Sequence, residues 1–527
     1  MNLEAFLHDL HFDIDRMIHP EGWEVDWEDA PLPYKLYRGL PVVPLSSEVP
    51  LTLTAGTCST QPNLLGIGHF LWYAFGLTQF AQSEFAFAGK EQGPIQRQFH
   101  RRFVPAGGGL YPNELYVYLK IKDLPTGVYH YDVAHHRLVL LREGQFDSYL
   151  IQALGNQCDM AACFGAVFVS TMFWKNFFKY HNFAYRLQGL DAGVLIGQLL
   201  EVAKQFNFTT GVYFQFLDRA INHLLGISEL EESVYAVIPL SQEPFNVWFI
   251  TGDGKEGTTI SAAELCQELT AVHHHHYVRS QRMKEYPMLI KMNEASMLES
   301  VRSFRQMDDC RGVNYSGRLI PLPDVKRLKY DLSAASMKRY SPGLDFVLRK
   351  VDLTQLAMLL HEATASFSYQ NDLDGTQKNP KPRVSLFVNL YGIEGIPDGA
   401  YQYDSAVHAL RLIRSGDHRL SLQLGYLYNV NLFQVPICLH VAGDQNHLIP
   451  TMGYRGYRIQ QMEAGMLTQR LSLIACAIGL GSHVILGFDV NTANKIFGMA
   501  PQAQTSLVQL PIGSHRPPCK LEGSLRS

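Results

Sequence analysis

The sequence predicts an α+β fold made of two tandem copies of one domain, closed on each other as an intramolecular pseudo-dimer. Three observations carry this reading. One register of self-similarity runs along the chain at a fixed offset. Each copy reads as strands with alternating side chains followed by one long apolar helix. A polar, glycine-containing segment separates the copies.

The register is clearest in "LPTGVYHYDVAHHRLVLLREG", which starts at Leu124, and "IPDGAYQYDSAVHALRLIRSG", which starts at Ile396, 272 positions later. Gly127, Tyr129, Tyr131, Asp132, His136, Leu138, Arg142 and Gly144 all recur at that offset. It returns where "YRLQGLDAG" from Tyr185 meets "YRIQQMEAG" from Tyr457, and it persists to Gly226 and Gly498. A period this long describes two complete domains, not a solenoid. Duplicated domains associate like the subunits of a homodimer, about a pseudo-two-fold axis. The divisions are an N-terminal arm over 1–50, a first domain over 51–245, a linker over 246–292 and a second domain over 293–527.

Within each copy the elements follow in the same order. An extended pair comes first, "ELYVYLKI" then "GVYHYD…RLVLL", with alternating side chains about a Gly/Asp turn. The long helix is "LQGLDAGVLIGQLLEVAKQF" in half one and "IQQMEAGMLTQRLSLIACAIGL" in half two. A short loop, a small helix ("RAINHLLGI", "NTANKIFGM") and a final strand ("SVYAVIPL", "TSLVQLPIG") complete it. In the linker, "ISAAELCQELTAV" reads as a short helix and His273–His276 as solvated chain. Four adjacent histidines cannot all face one ion from a regular element, so no metal site is expected there.

Composition narrows the partners. Hydrophobic residues make up 46% and charged residues 18%, with a formal net charge of −4, which gives no general electrostatic case for nucleic acid or an anionic membrane. The start "MNLEAFLHDLHFDIDRM" is acidic and lacks the apolar core of a signal peptide. No apolar run reaches the ~18–20 residues needed to span a bilayer. The eight cysteines are scattered with no C-x-x-C pair, which suits reduced thiols and a cytoplasmic protein.

The copies differ where chemistry is concentrated. Half one holds "RRFVPAGGGLYPNELYVYL", in which Arg101 and Arg102 precede Pro105, Ala106, Gly107, Gly108 and Gly109. Half two keeps the following strand but has "FSYQNDLDGTQKNPKPRVSLFVNL" there. Half two in turn has "LESVRSFRQMDD", where Arg302, Ser303 and Arg305 form R-S-x-R, two guanidinium groups and a hydroxyl that suit a phosphate. Such a cluster is also an ordinary solvated surface, and a glycine run is also a tight turn needing positive φ. The glycines precede a strand, whereas dinucleotide and P-loop glycines follow one and open a helix.

Taken together these segments resemble a known family. "RRFVPAGGGLYPNELYVYL" resembles the R-R-x-x-P-S-G-G-x-L-Y-P-x-E segment of SagB/ThcOx-type dehydrogenases, a branch of the FMN-dependent nitroreductase-like fold. "VRSFR" resembles the R-S-x-R near the start of such domains, and "WEDAPLPYKLYRGLPVVPL" resembles the segment that precedes them. "YRIQQMEAGMLTQRLSLIACAIGLGSHVILGFDVNTANKIFG" resembles the E-A-G-x-x-x-Q helix followed by G-F-D. Ala106 replaces the usual serine, Asp191 stands in place of the helix glutamate in half one, and most relatives carry one copy.

The resemblance implies a flavin site between the halves. Half two would supply Arg302, Ser303 and Arg305 for the FMN phosphate, Leu486 and Gly487 beside the ring, and Arg516; half one would supply Pro105 to Gly109. One FMN per chain follows. A family Lys-Tyr pair corresponds to Lys179 and Tyr180, while half two has Thr451 and Met452. The implied activity is oxidation of thiazolines or oxazolines in a modified peptide to thiazoles or oxazoles. It requires removal of a carbon-bound proton by a group of lowered pKa and transfer of hydride to flavin. A cyclodehydratase is the implied partner. Carrier-bound azolines are an equal substrate reading. Two other functions stay open: an NAD(P)H-dependent FMN reductase of nitro or quinone compounds, and a flavin-free scaffold of a peptide-modifying complex. Arg101 and Arg102 receive no role from the sequence.

Overall fold

The computed structural model describes residues 1–54, 62–85, 95–250, 260–307, 317–365, 367–375, 377, 380, 382–424, 429–517 and 521–524. In half one the strands lie in the spatial order Val42–Pro44, Arg137–Glu143, Gly127–Asp132, Asn113–Leu119, Gly165–Met172, Glu232–Ser241, Thr209–Val212. Half two repeats the order with Leu319–Pro321, Ala409–Ser415, Gly399–Asp404, Ser385–Leu390, Ile437–Asp444, Gln504–Gly513 and Gly481–Ser482. Even the irregularities are copied. A break in register falls between Val128 and Tyr129 and between Ala400 and Tyr401; a second falls between Val169 and Ser170 and between Val441 and Ala442. Upstream the offset slips by one residue, because Tyr116 faces His130 whereas Phe387 faces Gln402.

The helices Ala184–Gln205 and Arg455–Ala477 are buried on nearly every face, as helices between two sheets must be. Glycine inside a helix ordinarily costs about 1 kcal/mol relative to alanine. Here it sets the distance between the helices. A Cβ on Gly193 would lie 2.0 Å from the carbonyl oxygen of Met462, and one on Gly465 2.3 Å from that of Leu190. These glycines are repeat mates, as are Tyr185 and Tyr457, whose rings stack at 5.8 Å and 21°. The pseudo-two-fold axis therefore runs between these helices.

Both halves reach across the axis. The helix Leu3–Phe12, capped by Asn2, packs on half two, where His11 Nε2 lies 3.0 Å from the Tyr457 hydroxyl. The helix Pro287–Ser296 packs on half one, with Ser296 Oγ 3.1 Å from the Tyr185 hydroxyl. Gln370–Asn371 of half two adds to the half-one sheet, parallel to Thr209–Val212. The corresponding part of half one lies instead in a separate sheet, where Ile95–Arg102 pairs with Leu77–Phe85 and Leu521–Ser524 pairs with Leu77–Phe85.

The histidine run is not simply solvated chain. Tyr37 bridges to His276, and Arg38 N donates to the His275 carbonyl at 3.0 Å. The strand-like alternation turns His274 and His276 toward the Tyr37 ring and leaves His273 and His275 exposed. Burial lowers the His276 pKa to about 4. Among the described residues no helix is long and apolar enough to cross a membrane.

Candidate functional site

The strand Ile95–Arg102 leads through buried Phe103 and Val104 into the glycine segment. Gly108 and Gly109 have φ of 63° and 70°, a region that side chains disfavour. Space is also lacking at Gly108: a Cβ there would sit 2.6 Å from the Tyr180 hydroxyl and 2.8 Å from Lys179 Nζ. Both groups come from the short helix Trp174–Tyr180. Lys179 Nζ also lies 4.6 Å from the centroid of the Tyr180 ring and 5.5 Å from that of Trp27, in the N-terminal arm. An ammonium between two aromatic faces is held by their quadrupoles.

The floor of the loop is Asp191. Gly107 N donates to both of its carboxylate oxygens at 3.1 Å. Burial raises the Asp191 pKa from 3.8 to about 7, with the Gly107 N–H pulling it back down. Between those values the folded chain keeps the proton and the unfolded chain releases it, so this group makes stability fall as pH rises. Asp191→Asn is therefore expected to stabilise the flavin-free chain at pH 8 by up to about 4 kcal/mol, the advantage vanishing below about pH 4. Urea unfolding at the two pH values measures this; equal stability at pH 8 would reject it.

Half two reaches the loop by way of the helix turn that precedes Asp191. A Cβ on Gly107 would lie 3.1 Å from Leu187, whose neighbour Arg186 stacks 5.8 Å from the ring of Phe488 and donates to the Leu507 carbonyl at 2.8 Å. Phe488 follows Leu486 and Gly487, and nothing lies within 4 Å of a Cβ placed at Gly487. Further along, Gly343 N donates to His483 Nδ1 at 3.2 Å, and a Cβ on Gly481 would collide with His515 and Pro342. Arg516 is exposed, with its backbone N–H on the Asp345 carbonyl.

This corner holds a cation that the sequence did not single out. Arg339 is 6% exposed, its Nε has no hydrogen-bond partner, and its guanidinium makes no ion pair among the described residues. Burial, then the charge of Arg101, lowers its pKa to about 10, which leaves it protonated at neutral pH. A buried, unneutralised guanidinium fits an anionic group. The opening arginines divide accordingly. Arg101 donates to Gln79 and to the Arg339 carbonyl. Arg102 is buried away from the corner, 4.0 Å from the ring of Phe75 and 4.7 Å from that of Tyr111.

Arg302, Ser303 and Arg305 lie elsewhere. Arg305 N donates to Gln215 Oε1 at 2.7 Å, and Phe304 packs where a Cβ on Gly155 would lie 2.8 Å away. Gln215 is the repeat mate of Gly487, so the R-S-x-R segment sits at the other pseudo-symmetric position. The reason is topological: the helix Pro287–Ser296 crosses to half one and carries this segment with it, and Leu298 N donates to Asp218 at 2.9 Å. At that second position Glu463, the mate of Asp191, pairs with Arg383 at 2.6 Å, and Arg383 also pairs with Asp374. One position presents an open glycine loop; ion pairs fill the other. Expectation and structure thus part on one point, because the glycine segment and R-S-x-R do not share a site.

Two halves of the same α+β architecture that exchange N-terminal helices across a pseudo-two-fold axis, with the glycine loop open at its edge, define a duplicated, dimer-like fold. The profile of the nitroreductase family matches residues 74–240 and 377–514, more than half of the chain. The chain belongs to the nitroreductase family and carries its domain twice; proteins of this family generally bind FMN. A Methanocaldococcus jannaschii protein described as a nitroreductase is 24% identical over 194 residues, 37% of this chain and 95% of that protein. The trifolitoxin-processing protein TfxB of Rhizobium leguminosarum bv. trifolii is 27% identical over 139 residues, 25% of this chain and 37% of TfxB. A crystal structure described as a nitroreductase from Anabaena variabilis covers 98% of this chain and 99% of its own, with TM-score 0.70 and 22% identity, so the duplicated fold recurs there.

Proposed function

We propose that the chain binds one FMN between its halves and oxidises azoline rings of a modified peptide to azoles. The observation that carries this reading is the convergence of Lys179 Nζ and the Tyr180 hydroxyl on Gly108, in the half that keeps the glycine loop. The likeness to TfxB supports a peptide as the substrate class. The azolines are the product of a cyclodehydratase, which is the partner this reading requires.

The flavin ring would lie against Pro105, Ala106, Gly107, Gly108 and Gly109 and beside Leu486 and Gly487. Its anionic end would lie toward Arg339 and Arg101, with Arg516 at the outer edge, and Arg302, Ser303 and Arg305 left at the filled position. FMN supplies the hydride acceptor. Lys179 and Tyr180 would hold the substrate ring; the Lys179 amine would take the carbon-bound proton, and the Trp27 ring would steady the ammonium so formed. Asp191 fixes the Gly107 amide, and Leu187 and Leu486 exclude water from that side.

Arg339→Ala is expected to weaken FMN binding about thirtyfold, the weight of one charge-assisted hydrogen bond. Arg302→Ala and Arg305→Ala are expected to change it less than about threefold. Quenching of flavin fluorescence measures both, and the opposite pattern would move the anionic end to R-S-x-R. Loss of two hydrogens per azoline in a peptide assay tests the reaction. A purified chain that takes up no FMN would leave only the scaffold reading.

A second reading has one observation behind it, the likeness to the M. jannaschii nitroreductase over nearly all of that protein. It makes this chain an NAD(P)H-dependent reductase. Rapid anaerobic bleaching of the bound flavin by NADPH, with no azoline oxidation, would favour it.

A further inference from the structure

Half one carries charge inside its sheet where half two carries none. Glu114 is fully buried; one oxygen accepts from Lys175 and the other lies 2.8 Å from His130 Nε2. Glu232, 1% exposed, pairs with Lys35 at 2.7 Å and accepts from the Tyr116 hydroxyl at 2.9 Å. In half two the strand register fixes the counterparts. Glu114 faces Ser170 and Ser385 faces Ala442; Glu232 faces Met172 and Gln504 faces Asp444. Ser385 and Gln504 are thus the mates of the two glutamates, and Gln504 Nε2 donates to Ser385 Oγ at 3.1 Å.

Half two therefore serves as an internal control. The same sheet, with the same strand order and the same register shifts, forms with a neutral pair at these positions. Buried ion pairs are in any case weak stabilisers, because desolvation offsets their attraction. Charge at Glu114 must answer a need that half two lacks, and the glycine loop is what half two lacks. Lys175 connects the two. Its Nζ lies 3.4 Å from the carbonyl oxygen of Tyr111, two residues past Gly109. Tyr111 has φ of 47°, a costly conformation for a bulky residue that persists only where its surroundings enforce it. Its hydroxyl accepts from Arg102 N at 3.2 Å, so the residue is held at both ends. Lys175 also lies one helical turn before Lys179, within Trp174–Tyr180.

We propose that Lys175, fixed by Glu114 and His130, is a positioning residue that ties the exit of the glycine loop to the helix bearing Lys179 and Tyr180. It holds the Tyr111 carbonyl and thereby sets the separation of the loop from those two groups. The inference rests on the flavin-site reading above.

The double variant Glu114→Gln/Lys175→Met removes the charges and keeps the volume. It is expected to melt close to the wild type and to bind FMN with unchanged stoichiometry. Amide exchange of residues 107–111 is expected to speed up about tenfold with the rest of the half-one sheet unchanged. The kcat is expected to fall about tenfold with little change in KM, as for a lost orienting contact. Wild-type exchange at 107–111 would overturn the proposal, and so would faster exchange throughout the sheet, which marks a merely structural pair. If the double variant is not recovered folded, the isosteric Glu114→Gln decides through the same exchange measurement, with about a threefold rise expected at 107–111 and no rise overturning the proposal. Exchange is read on the flavin-free chain. A failure to bind FMN would therefore sink the flavin-site reading and leave this test intact.

Discussion

Gly465→Ala is expected to destabilise the protein by about 3 kcal/mol or more, and Gly193→Ala by at least as much. Alanine is the better helix former by about 1 kcal/mol, so propensity alone predicts the opposite sign. The clash decides. At Gly193 the new methyl would meet the Met462 carbonyl at 2.0 Å; at Gly465 it would meet the Leu190 carbonyl at 2.3 Å and Gly193 Cα at 2.9 Å. Backbone atoms of a buried helix cannot rotate aside, so the helices must separate. Separation breaks the Tyr185–Tyr457 stack and the bond from Gln469 to Gln198 at 2.9 Å. Gly197→Ala grades the effect, since its methyl would sit 3.0 Å from the nearest carbonyl and should cost less. Urea unfolding read by circular dichroism tests the order, and wild-type midpoints for Gly193→Ala and Gly465→Ala would refute the close crossing.

Lys179→Ala and Tyr180→Phe are expected to retain bound FMN and to lose azoline oxidation by about two to four orders of magnitude, the usual weight of a general acid or base. The two substitutions separate chemistry from packing. Tyr180→Phe keeps the ring that faces the Lys179 ammonium and removes only the hydroxyl beside Gly108. Lys179→Ala removes the ammonium and leaves the Trp27–Phe178 contact in place. Flavin absorbance of the purified variants reports the first half of the expectation, and single-turnover oxidation of an azoline peptide the second. Full activity in both variants would sink the assignment.

The repeat was legible because its signals are local. Asp132 and Asp404 accept from the backbone N–H of Ala134 and Ala406, and Tyr131–His136 and Tyr403–His408 each bond at 2.8 Å. Turn chemistry of this kind is written in a few adjacent residues, and the long helices announce themselves by length. The glycine segment and the Lys179–Tyr180 pair were singled out through their family resemblance, and the structure places them side by side. Placement across the axis was not. R-S-x-R was assigned to the glycine loop because nothing in its own residues states which half Pro287–Ser296 packs against. Gln370–Asn371 is two residues long, too short for any periodicity. Arg339, within "SMKRYSPG", drew no reading from the sequence, because burial of an arginine depends on distant chain. Glu114 sits in a strand that the sequence marked only as extended, and the packed sheet shows it enclosed.

The pairing of Gln370–Asn371 with Thr209–Val212 has a consequence for handling the molecule. A nick in the linker should not release two working halves, because each would leave with part of the other's structure. Half one alone would carry a bare parallel edge at Thr209–Val212, the surface on which unpaired chains associate. Half two alone would carry a dangling segment and the helix Pro287–Ser296 stripped of its half-one contacts, held only by such bonds as that from Arg455 to the Ser296 carbonyl. Co-expressed fragments should reassemble by complementation, while either fragment alone should be recovered mainly in inclusion bodies.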